Sequence, residues 1–497
     1  MDDVVCGYRL DEQQMAIVKD DSKYLLVVAG AGSGKTFTIL GKIKYLLYQK
    51  NIKPDDILCI SFTRASTNSL KEKIKNEFLL SMPVYTFHEL ALNILKDNQI
   101  EYNITDNETL DRIIHDFFNL TILNYPQYMK YLLSYFNKFS FIKLKRKYQK
   151  FYIVNYKKIQ LLERLINTFI RLFKCNNYTI EDYSLFLKQI KKTFNYKKYK
   201  KEKIFLILSL NIYLLYFDYL KENKEIDFDD MIIKATKLVK DNGKVNKYKY
   251  VIIDEYQDTS FVRFCLIKEI LAKTNAKLMV VGDDFQSIYR FTGCDLNLFL
   301  NFSQYFKESK MLKIENTYRN SQELINIAGK FIMKNKNQIR KNLKSSKHID
   351  NPIIVIYYDN IVVSIKELFN KLEGNIMILG RNNNDIYSIL DNDIFLKDNK
   401  VIYKNNSKLN MYYMTVHKSK GLEEDNVIII NLEDKLLGFP NKIVDDKVLR
   451  LVNKTNDKFL YSEERRLFYV ALTRTKNRVY LLVPKKNPSI FIKNLFD

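Results

Sequence analysis

The feature that most narrows the fold of this chain is the string Ala29-Gly30-Ala31-Gly32-Ser33-Gly34-Lys35-Thr36, lodged between an apolar run and a helical pattern. Tyr24 to Val28 is β-branched and aliphatic, as suits a buried parallel strand, and Phe37 to Tyr48 carries apolar residues at helical spacing. Glycines in such a strand-loop-helix turn let successive backbone N–H groups curl around an anion at a helix N-terminus. There Lys35 reaches the β- and γ-phosphates of a nucleoside triphosphate and the Thr36 hydroxyl meets Mg²⁺. Ala29 stands where the usual pattern opens with glycine.

A second apolar run, Tyr250 to Ile253, ends in Asp254-Glu255 and is followed by Gln257-Asp258. At a strand end one carboxylate holds Mg²⁺ through its water shell, and the next orients and deprotonates an attacking water. An isolated acidic pair often does no more than solvate a strand end. After a phosphate loop it completes a nucleotide site.

With 497 residues the chain has room for two to four domains. It starts acidic and polar, unlike a signal peptide, and no apolar stretch is expected to span a bilayer. Five scattered cysteines without a C-x-x-C pair suggest reduced thiols and a cytoplasmic location, with neither disulfides nor zinc. A formal charge of +24 suits a polyanionic partner such as nucleic acid. Codon bias offers another source, because Lys, Asn, Ile, Tyr and Phe are abundant while Trp is absent.

Strands expected at Tyr24–Ala29, Ile57–Phe62, Tyr250–Asp254 and Lys277–Gly282 make one α/β lobe. Those at Met311–Ile314, Ile353–Tyr357, Asn375–Leu379, Asn426–Asn431 and Arg478–Val483 make another, which has no phosphate loop. Two sheets with one loop imply a single nucleotide in the cleft between lobes. Residues 1–95 and 206–296 are assigned to the first lobe, 96–205 to a basic α-helical insertion, and 297–497 to the second lobe. Within the insertion, Phe194 to Lys201 interleaves aromatics with cations, as suits either a nucleic-acid track or a solvated helix face.

Further strings have mechanical uses. Gln286, just after the Val280-Val281-Gly282 strand end, is placed to sense a γ-phosphate, and Tyr289 and Phe291 follow it as stacking platforms for bases. Arg319 in Asn316-Thr317-Tyr318-Arg319 and Arg474 in Ala471-Leu472-Thr473-Arg474 are expected to reach across the cleft to the same phosphate. In this order the strings resemble the UvrD/Rep-type helicases of superfamily 1. Leu10 to Gln14 is similar to the adenine-reading Q motif, with Gln14 at the family's spacing. Ser61-Phe62-Thr63-Arg64-Ala65 and Val84-Tyr85-Thr86-Phe87-His88 are similar to first-lobe DNA-contacting motifs, and Met414 to Glu423 is similar to the motif coupling nucleotide to DNA. Ile226 to Ile232, Arg290 to Gly293, Gly438-Phe439-Pro440 and Asn487-Pro488-Ser489 narrow the resemblance to the helicase IV group.

The resemblance implies an α/β fold of two RecA-like P-loop NTPase lobes, parallel sheets flanked by helices, with the helical insertion in the first and little or no accessory domain in the second. It implies ATP and Mg²⁺ as cofactors, single-stranded and tailed duplex DNA as partners, and 3′-to-5′ movement in DNA repair, recombination or replication restart. Catalysis falls to Lys35, Asp254, Glu255, Gln286, Arg319 and Arg474, and metal binding to Thr36 and Asp254. ATP binding takes in Gln14, residues Ala29, Gly30, Ala31, Gly32, Ser33, Gly34, Lys35 and Thr36, and Tyr318 and Glu423. DNA falls to Phe62, Thr63, His88, Tyr289, Phe291 and His417. Phe291-Thr292-Gly293 stands where many relatives carry Trp-Arg-Gly. A DNA-stimulated sensor in a phage-defence complex, with a repair or defence protein as partner, and an RNA-remodelling ATPase are the alternatives.

Overall fold

Aliphatic runs become the centres of two largely parallel sheets in the computed structural model, which describes residues 3–137, 144–191, 195–454, 457 and 459–497. The first sheet has six strands: β1 (Tyr24–Ala29), β2 (Ile57–Ser61), β3 (Val84–Thr86), β4 (Tyr250–Ile253), β5 (Lys277–Gly282) and β6 (Lys310–Ile314). They run parallel in the order β6-β1-β5-β4-β2-β3. Side chains alternate between its faces: Leu25, Val27 and Ala29 join one core with helix Lys35–Tyr48, while Leu26 and Val28 join another with helices Phe87–Asp97 and Phe228–Lys240. The carboxyl ends of β1, β4 and β5 thus open on one crevice, where such sheets bind ligands.

The second sheet comprises β7 (Ile353–Tyr358), β8 (Gly374–Gly380), β9 (Ile394–Lys397), β10 (Lys400–Tyr403), β11 (Leu409–Thr415), β12 (Glu424–Ile429) and β13 (Thr475–Pro484). Its order is β7-β13-β12-β8-β11-β10-β9, parallel except at one edge, where β10 pairs antiparallel with both β11 and β9.

Three expectations need correction. The run Met311–Ile314 lies in β6 of the first sheet, in register with β1 from Leu25 to Ala29, so the first lobe reaches past residue 296 to Ile314. The boundary at 205 falls inside the helix Tyr196–Glu222, because the shift from basic to apolar residues happens along one continuous helix. Among the described residues this helix is also long and apolar enough to cross a membrane, contrary to the reading of the sequence. In the fold it is a core helix of the insertion, with Phe205, Leu208, Ile212 and Tyr216 buried.

The insertion is built from helices Thr109–Asn119, Pro126–Tyr135, Leu144–Val154, Tyr156–Cys175, Asp182–Lys191 and Tyr196–Glu222. A two-residue parallel ladder of Asn103–Ile104 with Glu225–Ile226 closes its base. Phe194 lies outside the described residues; in the stretch after it Tyr196 is exposed, Tyr199 packs on the insertion core, and the Lys201 ammonium sits 4.7 Å from the Tyr135 ring centre. Val448, Leu449, Leu451 and Val452 of the second lobe complete that core. Arg450 Nη2 donates to the Glu202 carboxylate (3.1 and 3.0 Å), and Asn176 Nδ2 donates to the Val452 carbonyl (2.9 Å).

Candidate nucleotide and nucleic-acid sites

Gly32 and Gly34 take φ of +69° and +76°, left-handed values that favour glycine, and helix Lys35–Tyr48 starts immediately after. Its first N–H groups therefore open onto the loop. Three segments wall the loop closely. A Cβ on Gly30 would lie 2.5 Å from Leu343, one on Gly32 2.5 Å from Arg319 Cβ, and one on Gly34 2.7 Å from Gln14 Nε2. Ala29 ends β1 opposite Ile314 in ordinary strand geometry, so no glycine is needed there.

Gln14 is buried behind the loop. Its Oε1 accepts from Asp11 N (3.0 Å), closing the cap of helix Glu12–Lys19, and its Nε2 donates to the Ser33 carbonyl (3.3 Å), bracing the loop. Ser33 Oγ is buried without a hydrogen-bond partner among the described residues, a polar atom left open in a phosphate cradle.

Lys35 Nζ donates to Glu255 Oε1 at 2.5 Å. Glu255 Oε2 accepts from Gln257 Nε2 at 2.6 Å, and the Glu255 backbone itself sits at φ +51°. Such a left-handed non-glycine residue is a mark of local strain. Burial opposes ionisation of Glu255, yet Lys35 and Lys420 prevail and hold it down at about 2. Its neighbour Asp254 behaves oppositely, since burial and then the Glu255 charge push it up to about 6. Two carboxyls with divergent acidity side by side mark a functional site. The donor set suits Mg²⁺: Asp254 follows the end of β4 and Thr36 lies in the first turn of the helix after the phosphate loop, two oxygen donors of the kind a hard cation takes beside phosphate oxygens.

Gln286 links the lobes. Its Nε2 donates to Asp283 Oδ2 (2.7 Å), and its Oε1 accepts from Arg474 Nη2 (3.1 Å). Arg474 is fully buried and also donates to the Val470 carbonyl (3.0 Å), the Leu422 carbonyl (3.2 Å) and Thr473 Oγ1 (3.3 Å), all neutral oxygens. Burial and the nearby Arg319 charge lower its pKa to about 9, so a further anion beside the guanidinium would stabilise its charge.

Arg319 corrects the expectation that both arginines reach across the cleft. Its neighbours along the chain belong with the phosphate loop: Tyr318 N donates to the Gly32 carbonyl (3.0 Å) and Thr317 Oγ1 to the Ala31 carbonyl (2.6 Å). From there its Nε donates to Glu423 and its Nη1 to the Thr473 carbonyl (3.4 Å). Tyr318 is exposed, and its hydroxyl donates to Asp11 Oδ2 (2.8 Å).

Four of the six expected DNA residues form one aromatic row. Phe62 stacks on Tyr289 (centroids 5.8 Å apart, planes at 12°), Tyr289 meets Phe291 edge-on (6.2 Å), and Phe291 meets His417 (5.5 Å). Thr63 and His88 stand off it. Thr63 is exposed and caps helix Arg64–Phe78 through Oγ1 (3.1 Å to Ser66 N), and His88 packs on Phe228 (5.0 Å). Burial first, and then Arg263 and Arg64 around His88 and Arg381 near His417, push both imidazoles down to about 4.

Sequence reading passed over Gln257, Asp258, Asp283, Lys341 and Lys420 as site residues. Lys420 Nζ donates to Asp258 and to the Gln286 carbonyl (2.7 Å) and lies 5.0 Å from the Tyr289 ring centre, so it touches the nucleotide side and the aromatic row together. Lys341 is buried between Asp283 and Asp284 (2.7 Å to the latter) and fixes the carboxylate that Gln286 grips. Position inside the quoted strings was the available signal for Lys420; nothing local marks Lys341.

A phosphate loop on one parallel sheet, answered by a buried arginine from a second sheet, defines a two-lobe P-loop nucleotide-binding protein. The family model for the UvrD/REP helicase N-terminal domain matches residues 10–307, and the chain belongs to that family. The model for the viral superfamily 1 RNA helicase core domain also matches, over residues 233–483. The chain is 28% identical to DNA helicase IV of Escherichia coli (strain K12), covering 98% of this chain and 70% of that protein. It is 27% identical to the ATP-dependent DNA helicase Rep of Buchnera aphidicola subsp. Schizaphis graminum, over 94% of this chain and 63% of that one. With the ATP-dependent DNA helicase PcrA of Staphylococcus epidermidis it shares 28% identity over 67% of this chain and 41% of the relative.

Proposed function

We propose that this chain is an ATP-dependent DNA helicase that moves 3′ to 5′ along a single strand and separates the duplex ahead of it, in repair, recombination or replication restart. One run of contacts carries the reading: Lys35 to Glu255, Glu255 to Gln257, Gln257 to Asp258, Asp258 to Lys420, and Lys420 to the face of Tyr289. A change at the phosphate loop is thereby felt at the surface on which bases would stack. Names of the relatives, helicase IV, Rep and PcrA, support the same substrate class.

In this mechanism Lys35 exchanges Glu255 for the β- and γ-phosphates. Freed of its lysine, Glu255 takes the proton from the water that attacks the γ-phosphorus, and Gln257 keeps the carboxylate aimed. Thr36 and Asp254 would hold Mg²⁺, which offsets charge on the phosphate oxygens. Arg319 and Arg474 stabilise the transferring group, a contribution on the order of 10³–10⁵ in turnover for an arginine finger. Arg474 arrives with the second lobe, and Gln286 reports that arrival to Asp283.

Strand displacement on duplexes bearing a 3′ or a 5′ single-stranded DNA tail tests the proposal. Displacement should need ATP and the 3′ tail; displacement from the 5′ tail alone would overturn the polarity. The match to a viral RNA helicase core favours a second reading, a motor on RNA. Faster displacement from RNA tails than from DNA tails would select it.

A further inference from the structure

Between Glu433 and Asp446 the second lobe carries a turn held from within by a buried aromatic side chain. Phe439 is fully buried against Phe468 (5.3 Å) and Phe491 (6.2 Å), and its N donates to the Glu433 carbonyl (3.2 Å). Lys442 N closes the turn on the Leu436 carbonyl (2.9 Å). Asn382 Nδ2 donates to the Leu437 carbonyl (2.9 Å), and Asn441 N donates to Glu464 Oε2 (2.9 Å). Gly438 admits no side chain, since a Cβ there would lie 2.0 Å from the Glu433 carbonyl oxygen.

On this fixed frame Leu436, Leu437, Ile443 and Val444 are 64, 55, 60 and 85% exposed. Large aliphatic groups clustered in water on a rigid support mark an interaction surface. Their place says what interacts. Ile443 and Val444 line an open groove of about 1440 Å³ that also takes in Phe291 and His417, the second-lobe end of the aromatic row. Asp445 reaches Arg290 of the first lobe (2.7 Å) and fixes the turn beside that row. The remaining carboxylates are engaged locally: Asp434 with Lys442 (2.7 Å), Glu433 with Lys435 (2.7 Å), and Asp446 with Val448 N (3.0 Å).

We propose that this turn is a wedge for the end of a nucleic-acid duplex, with Leu436, Leu437, Ile443 and Val444 meeting the terminal base pair as one strand enters the row at His417 and Phe291. Apolar side chains unstack base steps without reading sequence, which is what a strand separator requires. The inference rests on the reading of the chain as a strand motor and adds where the strands part.

The full chain and its Leu436→Ser/Leu437→Ser/Ile443→Ser/Val444→Ser variant are compared in three assays: strand-stimulated ATP hydrolysis, displacement of streptavidin from biotinylated single strands, and separation of tailed duplexes. A duplex carrying 2-aminopurine at its first base pair reports unstacking before ATP is added. The variant should keep hydrolysis and streptavidin displacement within about twofold, lose separation at least about tenfold, and lose the rise in fluorescence; Val444→Phe should retain all of them. Normal separation by the serine variant overturns the wedge, and so does an equal loss in every assay, which would mark a general binding or protein-docking surface. Absence of strand-stimulated hydrolysis in the unaltered chain would instead overturn the motor reading and the wedge with it.

Discussion

Asp254 and Glu255 are neighbours in sequence, yet their surroundings separate them: Lys35 and Gln257 stabilise the charge on Glu255, while Asp254 bears the cost of burial beside it. A carboxyl at about 6 is half protonated in mild acid, and a protonated Asp254 cannot ligate a cation. kcat/KM for the magnesium nucleotide should therefore fall as pH drops below about 6, and extra Mg²⁺ should move the midpoint to lower pH, because metal and proton compete for one oxygen. A midpoint indifferent to Mg²⁺ would dissociate Asp254 from the metal. For stability the sign is opposite. The native Asp254 binds its proton more tightly than the unfolded chain does, so its contribution to stability is present below the ordinary carboxyl range and declines as pH rises through about 6. The acidic pair itself was legible in the sequence because it follows a strand run and a phosphate loop. Gln14 was legible from its spacing to Leu10 in a string that resembles the family's motif, but not as a buried brace of the loop, since only the fold brings Ser33 beside it.

Helix Tyr156–Cys175 of the insertion carries Lys174 in its last turn, buried between Asp227 and Asp230 (2.8 Å to the latter) at the start of helix Phe228–Lys240. Removing one member of a buried ion cluster costs roughly 3–5 kcal/mol, because the others are left unpaired. Lys174→Met should lower the melting temperature markedly, and adding Asp227→Asn and Asp230→Asn should recover part of the loss; a melting temperature unchanged by Lys174→Met would show the cluster to be dispensable. None of this could be read from Lys174, one lysine among many in a basic stretch. Strands were uneven in the same way. β1, β4 and β5 stand out as aliphatic runs, whereas β6 was visible as a strand but not assignable to its sheet, since pairing with β1 is set by the fold and not by its own residues. The β9–β10 hairpin did carry a local signal that was passed over: Asp398-Asn399, both at positive φ (48° and 65°), is the two-residue turn that joins antiparallel strands.

At the scale of the molecule, the proposed function has the net charge of +24 and the aromatic row divide the work of holding a strand. Log affinity for single-stranded DNA should fall against log salt with a slope of about −0.7 per phosphate neutralised. Phe291→Ala should weaken binding by roughly 1–3 kcal/mol and leave that slope unchanged, because a ring contacts bases and not phosphates. A shallower slope in the variant would remove Phe291 from the stacking role. The completion of the insertion core by Val448, Leu449, Leu451 and Val452 also bears on how the chain is made. The last insertion helix ends at Glu222, so on the ribosome a helical body with an apolar seat must wait for about 230 more residues before its plug emerges. At about 5–20 residues per second the wait is on the order of ten seconds or more. During synthesis the insertion is therefore a client for anything that shields apolar surface, and its maturation is timed by the far end of the message.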